Sequence, residues 1–257
     1  MHPVSFSDYA DIIQQHSIDE LTDTNLLKIS EDSALSSYYT PFDFIAKDAK
    51  IVIVGICPGR TQWHNALVAC KQALAEHQYT TTVLKIAKRS GAFSGPIRKN
   101  LVNILDHIGL QQKLGISSTA SLFNEAQDLV HMSSVLKQAI FVNGKNYAGS
   151  SPNMLKHPFL LQHIHDYFIP EVQALPNALY VPMGKSVIDV LHYVSNLGYL
   201  NESQILTGFP HPSGANAERI QYFLGNKSAE ALSSKTNPEK IDQDKATLLE
   251  QLQYIQF

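Results

Sequence analysis

Residues Ile51 to Gln62, Ile-Val-Ile-Val-Gly-Ile-Cys-Pro-Gly-Arg-Thr-Gln, constrain the fold more than any other stretch of the chain. Four consecutive β-branched residues run into Gly55 without polar alternation, and Pro58-Gly59 then ends the extended run. A strand with one wet face alternates apolar and polar residues. A continuous apolar run instead implies burial on both faces, the condition of a parallel strand covered by helices. The predicted strand delivers its C-terminal end to a tight loop, where open α/β sheets bind ligands. Taken alone, the segment is explained as well by an ordinary core strand and turn as by a functional loop.

Strand and helix continue to alternate downstream. Strands are predicted over 128–136 and 178–181, with an extended run at 204–207. Helices are predicted over 63–88 with a break near 78–82, and over 96–108, 154–168, 185–194 and 242–254. This order predicts an α/β fold, a three-layer α/β/α sandwich with a central, mostly parallel sheet of about four strands. Residues 1–45 read as a helical extension with short helices at 8–15 and 21–28, and 226–257 as a polar tail ending in a helix. No Pro/Gly/Ser-rich linker is long enough to separate two domains, so residues 1–257 are read as one.

Hydrophobic residues make up 44% of the chain and charged residues 17%, enough apolar material for a sizeable core, yet no apolar run reaches the length of a membrane span. The N-terminus has neither a basic start nor an apolar block, so no signal peptide is expected. Two cysteines, Cys57 and Cys70, are too few for a disulfide framework and point to the reducing cytoplasm. They also exclude an iron-sulfur cluster held by four thiolates, and no cofactor is implied. The net charge of −3 gives no global attraction to nucleic acid. Locally, Lys85, Lys88, Arg89, Arg98 and Lys99 gather around the loop Gly91-Ala-Phe-Ser-Gly95. They form either a basic rim for phosphates or a solvated helix face.

A second loop follows the extended run at 204–207: Phe209-Pro-His-Pro-Ser-Gly-Ala-Asn216, with a helix expected to begin near Ala215. Proline fixes its own φ and pushes its predecessor into the extended region, so His211, between Pro210 and Pro212, is held rigidly. Such a side chain suits donation of a hydrogen bond to developing negative charge, and Ser213 is placed to cap the following helix. A histidine merely satisfied within a stiff turn is the competing explanation.

Together the two loops resemble the signature motifs of the uracil-DNA glycosylase superfamily: Gly-x-x-Pro-Gly after a strand, here Gly55 to Gly59, and a distant His-Pro-Ser, here His211 to Ser213. The resemblance continues through Gly91–Gly95, Leu105-Asp-His-Ile-Gly-Leu110, Ser134-Val-Leu-Lys137 and Leu179-Tyr-Val-Pro-Met-Gly-Lys185, spanning roughly residues 45 to 225 in the expected order. It implies a DNA glycosylase that extrudes uracil or a related damaged base and hydrolyses its N-glycosidic bond, acting as a monomer on DNA. His211 would stabilise the departing base. Phe93 would stack on the base, with Gly55, Ile56, Cys57, Ser134, Asn143 and Asn146 around it. Pro58, Gly59, Arg60, Lys137, Ser213 and Gly214 would contact the DNA.

The chain departs from the superfamily at three positions. Cys57 stands where several active branches place Asp or Asn, and a thiol is both a weak donor and a weak acceptor. Ile56 stands where another branch carries a carboxylate. Ser134 stands near an expected Asn, which passes base selection to Asn143 or Asn146, each of which also has a ready role in stabilising its own turn. Gln62 and Asn65 are further polar groups for holding water. Two other readings stay open. One is a binding module that keeps the pocket without hydrolysis. The other, a nucleotide-cofactor protein, is disfavoured because Gly55–Gly59 is neither a dinucleotide fingerprint nor a phosphate loop.

Overall fold

The computed structural model describes residues 3–91, 93 and 96–257. Its strands are β1 (Lys28–Asp32), β2 (Leu35–Tyr38), β3 (Ile51–Gly55), β4 (Val130–Ser134), β5 (Ala139–Val142), β6 (Lys145–Asn146) and β7 (Leu179–Pro182). A parallel sheet of order β4-β3-β7 is flanked by helices, the arrangement of an α/β/α sandwich. Ile51, Val52, Ile53 and Val54 are each no more than 1% exposed, which is the burial on both faces that the apolar run requires. The sheet has three strands, and a single parallel bridge between Tyr180 and Ile205 stands in place of a fourth.

The chain forms two compact units from interleaved segments. The first comprises Met1–Ile45, Val54–Ala92 and Met132–Pro176. It contains a second sheet, antiparallel and of order β1-β2-β5-β6, which is absent from the strands predicted from sequence. In β2 the register Leu35↔Val142 to Tyr38↔Ala139 buries Leu35 and Ser37. Its core joins Ile13 and Leu21, from helices Phe6–Gln15 and Ile18–Asp23, to Tyr39, Trp63, Leu67, Cys70, Val83 and Phe141. Trp63 donates its indole N–H to the Tyr39 carbonyl at 2.8 Å, so this buried polar group is satisfied. The helices Arg60–Ala75 and Thr80–Ser90 are separated at the expected break. The helix predicted over 154–168 is instead Pro158–His163, a π-helical segment Ile164–Phe168, and Ile169–Gln173.

Lys88 corrects the reading of a basic rim. It falls four residues after Leu84 on the apolar face of its helix and is only 6% exposed. Its ammonium donates to the Phe42 and Phe44 carbonyls and lies 3.7 Å from Glu171, whose other oxygen accepts from Ser133.

The second unit comprises Ala46–Ile53, Phe93–His131 and Asn177–Phe257. Its helices include Pro96–His107, Lys185–Asn196, Ala217–Phe223 and Pro238–Tyr254. Residues 226–257 are tied down: Glu218 accepts hydrogen bonds from Lys227, Ser233 and Thr236, and Lys245 donates to the Phe223 carbonyl. The Gln251 amide donates to the Ser203 and Ile205 carbonyls at 3.0 Å each, beside the bridge to Tyr180. Among the described residues, no helix is long and apolar enough to cross a membrane.

Burial lowers the Lys88 pKa to about 8 from the ordinary 10.5. Between those values the unfolded chain binds more protons than the folded one, so this residue makes stability rise with pH. Glu171→Gln leaves the buried ammonium without its counter-charge and is expected to cost about 3 kcal/mol at pH 7. The deficit should shrink as the pH is raised through 8, where the amine is buried neutral, as read from urea unfolding across pH.

Candidate functional site

In the first unit, β3 ends at Gly55 and the chain continues alongside the residues that follow β4. The Gly55 and Ile56 carbonyls accept from the Val135 and Leu136 amides at 3.0 and 2.9 Å. Ser134 closes β4 and is half-buried, as are Ile56 and Lys137, while Pro58 is buried. Gly59 caps the helix Arg60–Ala75 without a side chain, and two other residues satisfy the exposed amides. Gln62 accepts from the Gly59 N–H at 3.1 Å and donates to the Gly91 carbonyl at 3.0 Å. Asn146 accepts from the Arg60 N–H at 3.0 Å. Both polar ends of Gln62 are therefore engaged in holding loops together, which fixes the side chain between Gly59 and Gly91. Gly59 is packed against the Asn146 amide, which a Cβ there would meet at 3.3 Å. The Arg60 guanidinium lies 4.8 Å over the Phe141 ring and donates to the Gly144 carbonyl.

Asn143 and Gly144 both have positive φ, 48° and 72°, and form the two-residue turn between β5 and β6. This is the left-handed turn that Asn-Gly favours in hairpins, and it accounts for Asn143 without a ligand. Asn146, by contrast, is brought onto the Gly59-Arg60 loop. Cys57 donates its thiol to the Tyr147 carbonyl at 3.6 Å, and burial pushes its pKa up to about 12. At neutral pH it is therefore held as the thiol, whereas the thiolate is the nucleophilic form.

In the second unit, His211 sits against Gly184, at the start of helix Lys185–Asn196. A Cβ at Gly184 would meet His211 Cδ2 at 2.9 Å, and the φ of 106° there independently excludes most side chains. The Ser213 N–H donates to His211 Nδ1 at 3.1 Å. Nδ1 is thus an acceptor, which assigns the ring proton to Nε2. Burial lowers the His211 pKa below its ordinary 6.5, so the ring is predominantly a neutral Nε2–H donor at pH 7. The expected Ser213 cap takes a different form. Ser213 Oγ accepts from the Asn216 side-chain amide at 3.3 Å, and a 3₁₀ turn, Gly214–Asn216, precedes the helix Ala217–Phe223. Gly214 is exposed.

One helix holds both of the second unit's candidate loops. On Pro96–His107, Arg98 donates to the Phe93 carbonyl at 2.6 Å, and Asn100 donates to the Pro212 carbonyl at 2.9 Å. The predicted stacking residue and the predicted donor loop are therefore tethered two residues apart on the same helix. Arg98 also lies 4.6 Å over the Phe123 ring. Of the loop Gly91–Gly95, Ala92, Ser94 and Gly95 lie outside the described residues. Below His211, Gly208 (φ 101°) is pressed on the C-terminal helix, where a Cβ would meet the Asp244 carbonyl at 2.4 Å. Sequence reasoning gave no role to Gly184, Gly208 or Asn100. A glycine between strand and helix was a signal for the first, whereas nothing in the sequence marked Asn100.

No family model and no solved structure matches the chain. The uncharacterized protein YoxB of Bacillus subtilis (strain 168) is 36% identical over 206 residues, which cover 79% of this chain and 80% of YoxB. The chain belongs to the YoxB family.

For this member of the YoxB family, the geometry gives two expectations. Gly184→Ala should cost about 1–3 kcal/mol from its backbone conformation and should displace His211, read as a shift of the ring resonances in NMR and a lower unfolding midpoint. Cys57 and Cys70, both held at about 12 by burial, should resist alkylation at pH 8 in the native protein and react on unfolding.

Proposed function

We propose that this chain is a uracil-DNA glycosylase-like hydrolase that holds an extruded uracil or related damaged base and cleaves its N-glycosidic bond. The observation that carries the reading is the state of His211: a rigid, neutral imidazole with its proton on Nε2, tethered through Pro212 and Asn100 to the helix that also holds Phe93.

The chemistry follows from that state. As the bond between the sugar C1′ and the base nitrogen breaks, its electron pair passes to the base and gathers on a ring carbonyl oxygen. A neutral imidazole N–H stabilises that anion by a hydrogen bond, whereas an imidazolium would simply transfer its proton. Water then adds to C1′ and loses a proton to solvent. Cys57, a thiol at neutral pH, offers no base for that proton. The partner in this reading is DNA carrying a deaminated or damaged base. The protein acts as a monomer in the cytoplasm, without a cofactor.

Cys57 favours a second reading, a module that binds a base or nucleic-acid end without hydrolysis. In the superfamily that the sequence resembles, several active branches place Asp or Asn at this position, whereas the Cys57 thiol is engaged with the Tyr147 carbonyl and far from ionising.

A base-excision assay on single- and double-stranded oligonucleotides carrying uracil, hypoxanthine, xanthine or oxidised pyrimidines tests the proposal. Excision of at least one lesion is expected, with a loss of about a hundredfold or more in His211→Ala. Full activity in that variant would remove His211 from the chemistry. No excision by the folded wild type on any substrate would leave the binding module.

A further inference from the structure

The tail 226–257 lies outside the superfamily resemblance, and with the His211 loop it encloses a second feature. A cavity of about 310 Å³ is lined by Phe209 and Pro210 of this loop together with Arg219, Lys235, Lys240 and Asp244. Pro210 immediately precedes His211, so this wall is one residue, about 3.8 Å along the chain, from the proposed donor.

We propose that this cavity holds a backbone phosphate of the DNA strand, making the tail part of the nucleic-acid interface. The inference rests on the glycosylase-like reading and extends it to a segment that has no counterpart in the motifs. Three cations face one carboxylate, a local excess on a chain whose net charge is −3. Arg219 and Lys240 are positioned by bonds that leave donors free. Arg219 spends two N–H groups, on Asn216 Oδ1 and on the Lys235 carbonyl, and a guanidinium carries five. Lys240 is oriented by Asp244 at about 3.1 Å and retains further protons. Lys235 is exposed and makes no ion pair among the described residues. The 17-residue helix Pro238–Tyr254 also starts at the cavity: Asn237 caps it by accepting from the Lys240 N–H at 3.0 Å. The positive end of its dipole adds to the cations, offset in part by Glu239 in the first turn. Phe209, Pro210 and Ile241 supply an apolar surface suited to a sugar, while the cations suit the phosphate. The contact would carry affinity and register without reading sequence.

The test is fluorescence anisotropy of labelled undamaged and uracil-containing duplexes against the full chain, between 50 and 200 mM salt. The double variant Lys235→Gln/Lys240→Gln is compared with Lys47→Gln/Lys50→Gln, which makes the same charge change just ahead of β3. The cavity variant should bind both duplexes about tenfold more weakly at low salt, with a salt slope smaller by about one for each lysine. The control pair should stay near wild type. Circular dichroism and melting check that both variants are folded. Affinity and slope equal to wild type, or an equal loss in the control pair, would overturn the proposal. So would phosphate-induced stabilisation of wild type that disappears in the cavity variant while duplex affinity is unchanged, because the pocket would then serve a free phosphorylated ligand. Binding to undamaged duplex needs no excision, so failure here is separable from failure of the His211 chemistry.

Discussion

The burial of β3 on both faces is the constraint from which the rest of the architecture follows. Four β-branched side chains without access to water require helices over the sheet and a partner strand on each edge. Their backbone groups must also be paired, since an unsatisfied amide or carbonyl in that environment would cost about 1–3 kcal/mol. The pairing is visible at both ends of the strand. The Lys50 N–H donates to the Leu129 carbonyl and its carbonyl accepts from Leu179, while the Gly55 and Ile56 carbonyls receive the Val135 and Leu136 amides. A loop leaving so constrained a strand starts from a fixed point, a precondition for placing functional groups to within a fraction of an ångström.

Around His211 the same economy is achieved with glycine. Gly184 and Gly208 both adopt positive φ, and each meets a neighbour so closely that a methyl group would not fit: the imidazole in one case, the Asp244 carbonyl in the other. The ring is consequently fixed from three directions, by its flanking prolines, by the Ser213 amide on Nδ1 and by the glycine face. Its tautomer and its neutrality are consequences of this packing, since the bonded nitrogen cannot carry the proton and the low-dielectric surroundings disfavour the cation. Cys57 illustrates the converse, because burial there removes chemistry instead of tuning it.

The sequence disclosed the parts of the fold whose signal is continuous. The apolar run of β3, the strands near 130 and 180, the helix break after Ala75 and the long C-terminal helix all lie within a few residues of their predicted places. The antiparallel sheet was not legible, because β1 is Lys-Ile-Ser-Glu-Asp and β2 is Leu-Ser-Ser-Tyr, too short and polar to show a period of two. Lys88 was misplaced for a different reason. Counting charges leaves it on either a basic rim or a solvated helix face, although its spacing from Leu84 sets it on the apolar face, and only the tertiary structure reveals Glu171 waiting for it. In the candidate site, residue types were readable and partnerships were not. Asn143 and Asn146 look alike in sequence, yet one completes a hairpin and the other caps a helix across 86 residues of chain.

Gln251 shows what else the C-terminal helix does. An open sheet ends in a row of unpaired backbone groups that can template the strand of another molecule. Here the segment bridged to Tyr180 offers its carbonyls at Ser203 and Ile205, and a single glutamine side chain occupies both. The helix thus works as a guard on the sheet edge. Clipping or displacing it would expose a ready acceptor for strand addition, turning a loss of local structure into self-association.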